Sequence, residues 1–203
     1  MSVATLPERS DSPLAAEHHT ELATANERAK KIRKAAGVAN FNGWVSAIFA
    51  LCSALFALFS LVGFFVFAGL AIVAYNEFQG RNRLLLFDPT AAKFLGRNQL
   101  GFLAFIVAYC VWMMFTGLTT ESPLAAELDE NPEIGQVLGS LEEFDYLYKG
   151  LIVAVYGTVI VLSAIFQGLN AVYYFTRRKH IECYLRETPD WVIEVQRTTA
   201  AST

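Results

Sequence analysis

The chain has 203 residues, of which 54% are hydrophobic and only 17% charged, and its formal net charge is −3. Soluble domains carry about a quarter charged residues, so this balance excludes an ordinary water-soluble globule and points to lipid. Basic residues stand only at the flanks of apolar runs, which leaves nucleic-acid binding without support, and Cys52, Cys110 and Cys183 lack the short paired spacing of a disulfide framework or a zinc site.

Residues 1–19 are polar and read as a disordered tail; the first apolar block starts too late and runs too long for a cleavable signal. Residues 20–38 form a basic juxtamembrane helix with Arg28, Lys30, Lys31, Arg33 and Lys34. Its weak apolar stripe, Leu22, Ala25, Ala29, Ile32 and Ala36, suits an interfacial position with the basic end on anionic lipid headgroups.

From Ala35 to Asn76 there is no Asp, Glu, Lys, Arg or His. One crossing of a ~30 Å hydrocarbon core takes about 20 apolar residues, so this block is too long for one span and barely sufficient for two. The flanks decide between them. Arg28 to Lys34 precede the block, and Arg81, Arg83, Lys93 and Arg97 follow it. Lysine and arginine favour the cytoplasmic side, so the block turns back on itself. Spans over 39–60 and 61–78, meeting near Phe59 to Gly63, make a tight hairpin; a shallower re-entrant hairpin is the alternative.

A basic interfacial loop, 79–99, follows. Within it Asp88-Pro89 reads as the start of a short helix over 89–95, with Gly96 as its stop. The third span is 100–118. Segment 119–147 is acidic, with Lys149 as the nearest opposing charge, and is predicted outside; Ser122-Pro123 and Asn131-Pro132 mark short helix starts there, and Ser140 with Glu143 a capping box. The fourth span, 148–176, is framed by Tyr146 and Tyr148 at one end and Tyr173 and Tyr174 at the other, as suits interfacial tyrosines. Nothing stops its helix before Thr188-Pro189, so 177–203 is a helical extension and tail. The fold class is therefore an all-α integral membrane protein with four transmembrane helices and both termini cytoplasmic.

Helices in lipid associate by close packing of small residues. Gly43, Ser46, Ala50, Ser53 and Ala57 recur along one face of the first span. Gly150, Ala154, Gly157, Ala164 and Gly168 do the same in the last. The two spans are expected to pack on each other or on copies of themselves.

No candidate catalytic residue, cofactor site or metal site emerges. The polar groups that stand out at depth are Gln167 and Asn170, one turn apart, which suit a pore mouth or, more simply, contacts between helices; Asn76 and Gln79 sit at the inner end of the second span. His180 and Cys183 share a helix face but lack a third orienting group, and the spacing of Asp129, Glu130 and Glu133 does not fit a calcium loop. The expected role is non-catalytic: a structural or accessory subunit that works as a homo-oligomer or with a membrane-protein partner. A small oligomeric channel or transport component is the alternative, and a membrane-shaping hairpin a third. The alanine-rich, cysteine-poor composition suits a bacterial inner membrane.

Overall fold

The computed structural model describes residues 15–120 and 141–201; at 141–143 it gives the backbone alone. The tail before Ala15, the acidic segment 121–140 with its two helix starts, and the capping side chain of Glu143 lie outside the described residues. Every described element is helical: α1 (Ala16–Ala57), α2 (Leu61–Leu85), α3 (Ala91–Thr119), α4 (Leu141–Glu187) and α5 (Asp190–Ala201). Four of them, α1 to α4, are long and apolar enough to cross a membrane.

The helices run past the apolar blocks at their basic ends. The juxtamembrane helix and the first span are one continuous α1, because nothing between Ala16 and Ala57 breaks the backbone hydrogen bonding. Leu58, Phe59 and Ser60 form the turn, and the Ser60 hydroxyl accepts from the Gly63 amide to start α2. At the far end of α2 the Asp88 amide donates to the Arg83 carbonyl and the Phe87 amide to the Leu84 carbonyl, the paired bonds of a Schellman ending. Phe87 takes the left-handed position, φ 55°, that glycine usually holds. Its ring is compensated by burial, stacked on Tyr184 with 4.4 Å between centroids.

The short helix expected over 89–95 with a stop at Gly96 does not form separately. Asp88 Oδ1 accepts from both the amide and the hydroxyl of Thr90, and α3 then runs unbroken from Ala91 through Gly96. Gly96 ends nothing; it is buried beneath the Phe175 ring, where a Cβ would lie 2.7 Å from the ring edge.

α1 packs chiefly on α2, and α3 on α4, with thinner contact between the two pairs. The buried core is concentrated at the basic end. Ala25, Ala29, Ile32 and Ala36, the stripe read as interfacial, are instead fully enclosed with Leu84, Phe87, Leu95, Ile181, Tyr184 and Val192. A stripe of small apolar residues suits a close neighbour better than it suits lipid, and α4 and α5 supply that neighbour. α5 is tied across the α1 start by Trp191 Nε1 to Glu21 (3.1 Å) and by Gln196, which accepts from the Tyr184 hydroxyl (2.8 Å) and donates to Asn26 (3.3 Å). Arg197 reaches the Leu86 carbonyl at 3.0 Å.

The other end of the bundle has almost no interior. None of the most apolar stretch of α4 is buried, and Phe49, Leu51, Phe65, Trp112 and Leu162 face outward. Each such side chain left in water forfeits about 1.5–3 kcal/mol of burial. A bilayer removes that penalty.

Candidate functional site

Where the core meets the apolar halves, one carboxyl group joins the four long helices. Glu77 of α2 is fully buried, and it is the one acidic residue so enclosed among the described residues. Its Oε1 accepts from Asn98 Nδ2 and Gln99 Nε2 of α3, each at 2.8 Å, and its Oε2 accepts from the Tyr174 hydroxyl of α4 at 3.1 Å. The Tyr174 hydroxyl in turn accepts from Asn42 Nδ2 of α1 at 3.2 Å. Asn76 Nδ2 donates to Asn98 Oδ1 at 3.1 Å, and Asn98 Nδ2 also reaches the Val73 carbonyl at 3.3 Å. No ion pair among the described residues involves Glu77.

Helix geometry sets the depth of this network. Glu77 lies 17 residues beyond the Ser60 cap, roughly 26 Å along α2, close to the thickness of a hydrocarbon core. The network therefore lies one core thickness from the α1–α2 turn, beside the arginines and lysines. The hydrogen-bond pattern limits its chemistry. Three neutral donors converge on one carboxyl, Gln99 Oε1 is the one atom of this network buried without a partner, and among the described residues no second acid or thiol is bonded to it. Such a set ties helices together and fixes their register, because the buried donors of Gln99 and Tyr174 would be stranded out of water if their acceptor moved.

The packing residues named from sequence separate into two groups. Gly43, Ser46 and Ala50 are buried and Ser53 and Ala57 half-buried in α1, which packs chiefly on α2; a Cβ at Gly43 would lie 2.9 Å from the Phe78 ring. On α4, Gly150, Ala154 and Ala164 are exposed, Gly157 and Gly168 half-buried, and a Cβ at any of the three glycines would meet none of the described residues within 4 Å. The α4 seam thus does not pack on α1 within the chain. The contact between these helices lies at the basic end, where Asn42 meets Tyr174. α3 and α4 meet through other residues: Ile152 fills the space over Gly117, and Phe175 that over Gly96. Gly69 similarly receives Phe105, and Gly80 receives Leu95. Large side chains set into glycine sockets, rather than small faces laid together, join α2 to α3 and α3 to α4.

Gln167 and Asn170 are half-buried and take no part in the Glu77 network. Tyr174, expected at the membrane interface, is wholly enclosed. His180 and Cys183 do not pair: the His180 ring faces the Thr176 carbonyl at 3.4 Å and Cys183 Sγ donates to Glu187 at 3.0 Å. Among the described residues no three His, Cys, Asp or Glu side chains converge as a metal site. Sequence reasoning missed Glu77, Asn98, Gln99 and Asn42. The available signal was that the predicted topology puts all four near the inner ends of their helices.

No protein-family model matches the chain, and neither a curated protein nor a solved structure shows significant similarity to it.

Proposed function

We propose that this is a non-catalytic, multi-pass membrane subunit that assembles with a second helix-bearing chain, its own copy being the simplest partner, through the small-residue face of α4. Its four long helices cross the bilayer, α1 and α2 as a tight hairpin. Both termini and the Glu77 network lie on the cytoplasmic side, and the acidic segment lies outside. The charge distribution supports this orientation, since each lysine- and arginine-rich flank then lies inside.

The observation that carries the assembly reading is the unused seam. Gly150, Ala154, Gly157, Ala164 and Gly168 give α4 a face on which another helix backbone can approach closely, and no described element of this chain occupies it at the glycines. The Glu77 network supports the non-catalytic part of the reading, because its donors are spent on joining helices.

Gly157→Ile separates assembly from folding. The added side chain meets open space within the chain, so the thermal midpoint in detergent should shift by no more than about 2 °C, whereas the oligomer seen by native-detergent mass analysis should dissociate to monomer. A wild-type protein that is a lone monomer in mild detergent and in bilayer discs would overturn the assembly reading, as would an oligomer that Gly157→Ile leaves intact.

A further inference from the structure

We infer that the groove between α2 and α3 is a binding site for one anionic glycerophospholipid, with an acyl chain along the groove and the phosphate at Arg97. This rests on the chain lying in a bilayer but is independent of assembly through α4, whose seam lies on another helix.

The groove has two segments on either side of the Phe105 ring, which rests over Gly69 and lines both. The outer one, about 330 Å³, is lined by apolar and aromatic side chains including Leu61, Phe65, Ala108 and Trp112. The inner one, about 430 Å³, changes character along its length, from Gly69, Ile72 and Gly101 to Asn76, Asn98 and Arg97. From Leu61 to Asn76 the α2 wall rises about 22 Å, which exceeds the ~15 Å depth of one leaflet's hydrocarbon and so accommodates an extended acyl chain. The polar end coincides with the level of the Glu77 network, where a headgroup would sit.

Charge complementarity selects the headgroup. Arg97 is exposed and forms no ion pair among the described residues. Arg83 stacks over Phe94, another wall residue, with its guanidinium 4.6 Å from the ring centre, which brings a second cation to the mouth. The nearest carboxylate on the facing helix, Glu77, is buried and held by Asn98, Gln99 and Tyr174. A guanidinium grips a phosphate through paired donors, and Asn76, which spends one amide hydrogen on Asn98, has a second to offer an ester oxygen. The groove also has room to spare at Gly101, where a Cβ would meet nothing within 4 Å.

The test is native mass spectrometry of the delipidated full chain in detergent, titrated with phosphatidylglycerol or with phosphatidylcholine of the same acyl chains. One phosphatidylglycerol per chain should bind about tenfold more tightly than phosphatidylcholine, as one charge-assisted contact provides. Arg97→Ala should abolish that preference, Gly101→Leu should weaken both lipids by filling the groove, and Lys93→Ala, an exposed cation on the same helix but outside the groove wall, should change neither. Millimolar inorganic phosphate should not displace the lipid. Equal affinity for the two lipids, a preference that survives Arg97→Ala, binding indifferent to Gly101→Leu, or displacement by phosphate alone would each overturn the proposal. A thermal midpoint for each variant checks that it is folded, and Gly101→Ala, which adds a side chain too small to fill the groove, should bind as wild type does.

Discussion

Glu77→Ala is expected to lower the unfolding free energy in detergent by about 3 kcal/mol, because it removes the acceptor of three donors at once and leaves the two buried ones, Gln99 and Tyr174, stranded. Single hydrogen bonds between membrane helices contribute about 0.6 kcal/mol on average and at most about 1.7, so a loss of this size requires the three to act together. Glu77→Gln should cost about 1–2 kcal/mol, since one oxygen remains to receive Asn98 and Gln99 while the new amide group faces the Tyr174 hydroxyl. Tyr174→Phe removes the third bond. It removes the link to Asn42 as well, and because Glu77→Ala already removes the bond to Tyr174, the combined losses should be sub-additive by about 1 kcal/mol. A change below about 0.5 kcal/mol for Glu77→Ala would show that the network does not hold the helices together.

Gly80→Ala is the second large effect, and its sign runs against helix propensity. Alanine favours a helix over glycine by about 1 kcal/mol. Here, however, the new Cβ would overlap one Leu95 methyl and lie 2.5 Å from its Cγ, and Leu95 is itself fully buried in the core. Overlap with a branched carbon that has nowhere to retreat forces α2 and α3 apart, at a cost of about 1–3 kcal/mol. A net loss of about 2 kcal/mol is expected, read as a fall in thermal midpoint. Leu95→Ala should relieve much of it, so the pair should be clearly non-additive. Simple addition, or a gain from Gly80→Ala alone, would contradict the socket.

Most of the helical architecture was legible because lipid permits few alternatives: a backbone in hydrocarbon must satisfy its own hydrogen bonds, so apolar runs of span length become helices. The break at Thr188-Pro189 was legible for a similar reason, since proline disfavours helical backbone in the residue before it. The inner helix ends were not. Asp88, Pro89 and Gly96 carry the local signals of a short separate helix, yet Gly96 is where Phe175 of α4 needs space, a requirement set by a residue 79 positions away. The same limit applies to the seams. Spacing along α1 and α4 marks faces where a close neighbour fits, but it does not name the neighbour; α2 fills the first, and none of the described residues meets a Cβ at the glycines of the second.

Glu77 escaped notice because it immediately follows the uncharged stretch ending at Asn76, and a charge there reads as an interfacial residue. Its partners were similarly discounted: Asn98 and Gln99 as loop residues, Tyr174 as part of an aromatic belt. Only the packing of α1 through α4 brings these side chains to one point. That convergence connects the proposals. The network holds the basic ends of the helices in register beside the polar end of the α2–α3 groove, while the α4 glycines stay uncovered among the described residues.

All of this depends on the placement of the chain across the bilayer, and the α1–α2 turn is its most exposed point. Phe59 is 90% accessible at that turn, so a cysteine there, in a chain with Cys52, Cys110 and Cys183 replaced by serine, should tolerate substitution. A membrane-impermeant thiol reagent applied to intact cells or sealed vesicles of known orientation gives the decisive measurement. The four-crossing topology predicts that Phe59→Cys labels from outside and that Lys179→Cys, in the basic extension of α4, labels only from inside. Protection of Phe59→Cys from both sides, or its labelling from the side that labels Lys179→Cys, would contradict it.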